Sequence, residues 1–246
     1  MPDRPRARPH APADPAAADL GRRRLVSLGR RLAPRVGRGL LAAALTVLPV
    51  GALAGVVKAQ VGPLVPLDRA AILAATDVTR THPGLLSALV AWQEVFLPGY
   101  VYLMTVPVLV FAWRRGLRSR TLWALPTMLV GWNLGLDVKL LVRRARPEYA
   151  DPISAAPGWS FPSGHVFNMT MACVCCLVLL WPLLRRPAAR VAACAVAGVL
   201  VVVTMLDRVF LGVHYPSDTV GGVLLAFALA FSSWVGYAGL PRRRRR

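Results

Sequence analysis

The chain has 246 residues, 56% of them apolar, with a mean hydropathy of +0.51 and a formal net charge of +19. Length permits one or two domains, but this composition argues against an ordinary soluble domain and points to the bilayer. A soluble chain this basic would be read as a nucleic-acid binder; the placement of the charges argues against that reading here.

In chain order, residues 1 to about 20, rich in Pro, Ala and Arg, are expected to be disordered. The whole of 1–38 reads as a basic cytoplasmic N-terminal segment. RRRLVSLGRRL (22–32) has the look of a twin-arginine export signal, but no small-residue cleavage site follows Val57, so the apolar run after it is expected to stay as a span. Six runs are predicted to cross the membrane: 39–57, 95–113, 121–142, 166–184, 191–206 and 219–240. The fifth is short, and the third must absorb Asp137 and Lys139. Pro98 and Gly99 are expected to bend the second. Residues 63–93 are too broken in polarity to span, and short helices near the outer membrane surface are predicted there. The expected fold is therefore all-α, a polytopic six-helix bundle over 39–240, closed by a basic cytoplasmic tail at 241–246.

Orientation follows from the arginines. With both termini cytoplasmic, 22 of the 30 Lys and Arg residues lie on the inner side, leaving Lys58, Arg69, Arg80, Lys139, Arg143, Arg144, Arg146 and Arg208 elsewhere. The basic tails suit anionic lipid better than nucleic acid. Cys173, Cys175, Cys176 and Cys194 fall inside predicted spans without zinc-site spacing, and read as small buried hydrophobes. The outer loops are then 58–94, 143–165 and 207–218, and the last two hold most of the remaining ionisable chemistry.

Three short patterns carry that chemistry. In KLLVRRARP, Lys139 and Arg146 are seven residues apart, so a continuous helix would set them on one face about 10 Å apart, and Pro147 would stop it. Snorkelling at a span end accounts for Arg143 and Arg144, but not for basic residues gathering on the side that the positive-inside rule depletes. In GWSFPSGHVFNMT, Pro162, Ser163 and Gly164 open a helix whose free N–H groups and dipole favour a phosphate, and His165 can exchange a proton near neutral pH. An ordinary serine cap beside an incidental histidine is the plainer reading. In RVFLGVHYPSDTVGG, Arg208 offers a phosphate fork. His214 offers a nucleophile or base, and Asp218, four residues on, can hold its other ring nitrogen. Pro216 and Ser217 read as the start of the last span, with Asp218 in its first turn, where the plainer reading is a dipole-compensating acid.

Taken together and in this order, Lys139 to Pro147, Pro162 to His165 and Arg208 to Asp218 resemble the three signatures of the type 2 phosphatidic acid phosphatase superfamily, over roughly residues 39–240. The resemblance implies a six-helix membrane bundle with an extracytoplasmic site in a cell membrane. It implies that Lys139, Arg146 and Arg208 bind phosphoryl oxygens with Ser163 and the Gly164 amide, that His214 attacks phosphorus, that Asp218 orients it, and that His165 protonates the leaving oxygen. No metal or other cofactor is implied, because side-chain cations take the metal's part. Members usually carry Ser before the third motif's arginine, where this chain has Asp207. That carboxylate is expected to face away from substrate and to pair with Arg143 or Arg144. The implied activity is removal of a terminal phosphate from a polyprenyl diphosphate, phosphatidate or phosphatidylglycerophosphate. A phosphotransferase to a hydroxyl acceptor, and a non-catalytic lipid-phosphate binder or transporter, are the alternatives; vanadium haloperoxidases share the pocket but not six spans. The expected partners are a lipid phosphate and the bilayer, and oligomeric state is left open.

Overall fold

The computed structural model describes residues 15–60 and 62–238. Among these residues the regular structure is helical throughout: α1 Pro15–Ala59, α2 Leu64–Thr81, α3 Pro83–Val95, α4 Pro98–Arg114, α5 Arg118–Val142, α6 Gly164–Leu180, α7 Pro187–Phe210 and α8 Pro216–Ala238. Helix α1 begins within the segment expected to be disordered, so residues 15–38 are helical; residues 1–14 and the tail 241–246 lie outside the described residues.

All six predicted apolar runs are helical, but they meet the demands of a bilayer unequally. Ala33–Ala59, α5, α7 and α8 are each long and apolar enough to cross. The weak fifth run proves long, because the helix extends to 24 residues. The second run qualifies only when α3 and α4 are taken together, and these are bent by 59° at the break before Pro98. The bend thus falls where Pro98 was expected to place it, since proline takes a first-turn position without losing a needed N–H. The fourth run shortens to the 17 residues of α6, because the chain turns at Trp181 and Pro182. The count secured by length and composition is four, or five with the bent pair.

Helix α6 stands inside the bundle and packs against α4, α5, α7 and α8, while α1 runs along α8. Phe167, Met171, Cys175 and Leu179 of α6 are buried, and the core continues through Met128, Trp123, Leu225 and Ala226. The outer faces are apolar instead of charged: Leu40, Leu41 and Leu45 on α1, Leu129 and Leu136 on α5, and Val191, Val196 and Val199 on α7 are exposed. An apolar exterior over helices of this length is that of a membrane protein. Of the cysteines, Cys175 is buried, Cys173 and Cys176 are half-buried, and Cys194 is exposed on α7, so Cys194 is not the buried hydrophobe expected.

Two glycines let α8 approach the turn that opens α6. A Cβ on Gly221 would stand 2.4 Å from the Phe161 ring, and one on Gly222 would stand 2.9 Å from the Ser163 carbonyl oxygen and 3.1 Å from the Phe167 nitrogen. The Gly222 neighbours are backbone and cannot swing aside. Gly222→Ala should therefore destabilise the protein by about 1–3 kcal/mol through overpacking and displace the 162–165 turn. Gly198→Ala, inside α7 with nothing within 4 Å, should hold or raise the melting temperature in detergent, because alanine favours a helix interior; equal melting temperatures for the two variants would refute the packing account.

Candidate active site

The three sequence patterns converge at one end of the bundle, where α5 ends, α6 and α8 begin and α7 ends. Lys139 is in the last turn of α5, and its Nζ donates to the Trp159 carbonyl at 2.7 Å. The helix does not continue to Arg146 as expected. Arg143 takes the left-handed conformation at φ 54°, its N–H returns to the Lys139 carbonyl at 2.9 Å, and the chain leaves the helix four residues before Pro147. Arg146 instead reaches in from the loop, and backbone carbonyls fix its guanidinium: Nε donates to Gly158 at 2.9 Å, Nη2 to Pro157 at 3.0 Å and Nη1 to Val213 at 2.7 Å.

Ser163 occupies the N-cap position of α6, but its hydroxyl makes no capping bond. Its Oγ is buried without a protein partner among the described residues, as is His165 Nε2 two residues on. An ordinary cap would spend that oxygen on the helix's own N–H groups. Here a hydroxyl, an imidazole nitrogen and the helix's first N–H groups are left at the positive end of α6, the arrangement that favours an anion. A Cβ on Gly164 would lie 3.8 Å from Lys139 Cε, an ordinary contact, so this end of the helix lies beside that cation. Arg208, His214, Lys139 and Arg146 are all near enough to His165 to act on it electrostatically.

His214 follows α7 in a short turn and is 2% exposed. Its Nδ1 faces Asp218 Oδ2 at 3.5 Å and Ser160 Oγ at 3.4 Å, and its Nε2 lies 3.2 Å from Arg146 Nη1. With the Nδ1 proton on the carboxylate side, Nε2 carries the lone pair toward the cations. Burial pushes the His214 imidazole down to about 4; Asp218 opposes that shift, while Arg146 and Lys139 add to it. The ring is therefore neutral at neutral pH and available as a nucleophile.

Asp218 lies in the first turn of α8, but it does more than offset a helix dipole. It is fully buried, and Oδ2 accepts from Ser160 Oγ at 2.5 Å and from the Tyr215 N–H at 2.9 Å. Oδ1 accepts from Arg144 Nη1 at 2.6 Å. Arg144 is bound on its other side by Asp68 of α2, Nη2 to Oδ2 at 2.7 Å, and its guanidinium stacks on the Tyr215 ring at 4.1 Å. Asp68 also accepts from the Ser217 N–H at 3.0 Å and from the Ser217 hydroxyl. Arg144 is thus a half-buried counter-ion of the site and not a snorkelling residue. Sequence reasoning gave Asp68, Ser160 and Ser217 no part in the site. Asp68 lies about 150 residues from its partner in sequence, and only the polar interruption of 63–93 hinted that this segment did more than lie on a surface.

Asp207 also departs from expectation. It is buried, and its partner is the adjacent Arg208, not Arg143 or Arg144: Oδ2 accepts from Nε at 2.7 Å and from Nη2 as well. Arg143 is exposed and turns its Nε back to the Leu140 carbonyl at 2.9 Å, while Arg144 is already held by two other carboxylates. The pairing follows from burial, since a carboxylate in the interior takes whichever cation is buried with it.

These pairings separate two adjacent arginines that look alike in sequence. Removing Arg144 strands two buried carboxylates, so Arg144→Gln should cost about 3–5 kcal/mol. Arg143→Gln should stay within about 0.5 kcal/mol, as for an exposed site. Unfolding of both variants in mixed micelles tests this, and equal losses would show that the Arg144 pairs carry no such weight.

The sequence model of the PAP2 superfamily matches residues 120–241, which contain every residue of the three patterns. Phosphatidylglycerophosphatase B of Bacillus subtilis is 35% identical over 99 residues, covering 38% of this chain and 46% of that protein. Decaprenylphosphoryl-5-phosphoribose phosphatase of Mycobacterium tuberculosis is 34% identical over 121 residues, covering 48% of this chain and 61% of that protein. The chain thus spans about half the length of the curated relatives it matches. The crystal structure of a transmembrane PAP2 type phosphatidylglycerolphosphate phosphatase from Bacillus subtilis superposes with a TM-score of 0.70 at 23% identity, covering 82% of this chain and 98% of that one, a likeness of fold. The three patterns, gathered at one end of this helical fold, all lie inside the segment that matches the PAP2 superfamily model.

Proposed function

We propose that the protein is a membrane lipid phosphate phosphatase working through a phosphohistidine at His214. The observation that carries this reading is the two-sided setting of that ring, with Nδ1 against the buried Asp218 carboxylate and Nε2 against Arg146 in a cluster that includes Lys139, Arg208 and His165. In the first step Nε2 attacks phosphorus, the bond from phosphorus to the lipid oxygen breaks, and His165 gives that oxygen its proton. In the second, His165 takes a proton from water, the water oxygen attacks phosphorus, and the phosphorus–nitrogen bond breaks to release phosphate. Lys139, Arg146 and Arg208, with Ser163 and the Gly164 amide, hold the equatorial oxygens, where charge accumulates in the transition state. A binder needs the cations only; the oriented histidine and its orphaned neighbour favour catalysis.

The substrate class is a lipid bearing a terminal phosphate: a polyprenyl diphosphate, phosphatidate or phosphatidylglycerophosphate. The named activities of the two relatives, on a phosphatidylglycerophosphate and on a decaprenyl-linked phosphate, fall within it. In this reading the chain passes the membrane six times, with α6 crossing inside the ring of the others, both termini cytoplasmic and the site outside. The tail of the substrate then stays in the bilayer while its head reaches the cations.

Purified protein should release phosphate from at least one of phosphatidate, phosphatidylglycerophosphate, lysophosphatidate and a polyprenyl diphosphate. Folded protein inert toward the whole panel would refute the assignment. His214→Ala should abolish the phosphoenzyme. His165→Ala should lose about 10²- to 10⁴-fold with a natural substrate but much less with one whose leaving group needs no proton, and equal losses would overturn the division of roles. Topology is checked separately. Single cysteines within 114–120 and 185–190, in a cysteine-free background, should label from the cytoplasm and those within 148–158 from outside; reversed access would invert the arrangement.

A further inference from the structure

The Asp207 carboxylate sits in the interior against an arginine assigned to phosphate, a placement that the chemistry of phosphoryl transfer does not need. Asp207 and Arg208 are 1% and 2% exposed. Asp207 Oδ2 takes both Nε and Nη2 of Arg208, and Nη2 also donates to Gln93 Oε1 of α3 at 3.0 Å. The clamp occupies the Nε and Nη2 edge of the guanidinium, and Nη1 takes no part in it. Asp207 Oδ1 is buried with no partner among the described residues, so half of this carboxylate contributes charge without a hydrogen bond, at a desolvation cost.

We propose that Asp207 and Gln93 are positioning residues that set how strongly the site holds phosphate: they fix Arg208 by one edge, leave it Nη1 for the anion, and offset part of its charge. The proposal rests on the phosphate-site reading above and goes beyond it. Electrostatics gives the direction. The charges facing this end are the half-buried Lys139, Arg144 and Arg146 and the buried Arg208 against the buried Asp68, Asp207 and Asp218, and Arg144 is already taken up by Asp68 and Asp218. With Asp207 in place, the cations left over for an incoming phosphate are in effect Lys139 and Arg146 with a partly neutralised Arg208. An arginine fork fully free for bidentate binding would grip substrate and product phosphate alike, and holding both more tightly does not speed turnover. A carboxylate on the back edge weakens that grip while keeping the donor pointed.

The two residues permit a test with opposite signs. In Asp207→Asn the amide oxygen can replace Oδ2 on the clamp and the NH₂ can take the place of the unpartnered Oδ1, so shape is kept and charge is lost. In Gln93→Glu a charge is added to the same edge of Arg208. Orthovanadate and inorganic phosphate binding to the full chain in detergent micelles, followed by calorimetry, should tighten about fivefold or more in Asp207→Asn and weaken by a similar factor in Gln93→Glu. The Asn variant should also lower KM and the inhibition constant for product phosphate together, whereas loosening of the fold would raise both. Unchanged binding in the two variants, or a change of the same sign in both, would overturn the proposal. If Asp207→Asn fails to fold, Gln93→Glu decides alone: weaker binding sustains the proposal, and equal or tighter binding ends it. If the unaltered protein binds neither anion, the phosphate-site reading has failed and takes this inference with it.

Discussion

The burial of the Asp218 carboxylate is the constraint on which the rest of the site depends. A fully buried, ionised carboxylate is tolerated only when paired and hydrogen-bonded. Asp218 meets that demand from three directions: a serine and a backbone N–H on one oxygen, Arg144 on the other, and His214 alongside. Arg144 has its own desolvation to offset, which brings in Asp68 from α2. A helix expected merely to lie at the membrane surface is thereby tied to the ring to which the proposed mechanism gives the attack. The orientation of His214 is the far end of a charge chain that begins on another helix.

The same constraint explains why small residues cluster where α8 begins. Gly221 and Gly222 let the helix come close enough for the Ser163 N–H to reach the Asp218 carbonyl at 2.9 Å. The turn that opens α6 is thus hydrogen-bonded to the backbone of Asp218, and the proposed nucleophile and anion end are locked in one geometry. Fixed donors of this kind need little reorganisation as charge develops, which is the main protein contribution to phosphoryl transfer. The three backbone carbonyls on Arg146 serve the same end, since they hold a cation without neutralising it.

Much of the architecture was legible in the chain because its signals are local. Apolar length marked six helical runs, four of which are long and apolar enough to cross alone, proline placed the bend at Pro98, and the asymmetry of the arginines proposed an orientation. The spacing of Lys139, Ser163, His165, Arg208, His214 and Asp218 also picked out groups that do meet. It misjudged how Arg146 gets there, because seven residues match two helical turns whether or not the helix persists, and the left-handed turn at Arg143 has no signature at a non-glycine residue.

What the sequence by itself determined is therefore the set of apolar helices and the identity of the ionisable groups at one end of them, both consequences of residue type and near-neighbour spacing. What only the tertiary structure decided is pairing: that Arg144 belongs to Asp218 and Asp68, that Asp207 holds Arg208, and that Ser163 leaves its hydroxyl unused by its own helix. A buried charge takes its partner from whatever else is buried within a few ångströms. Helix packing sets that distance, and separation along the chain carries no record of it.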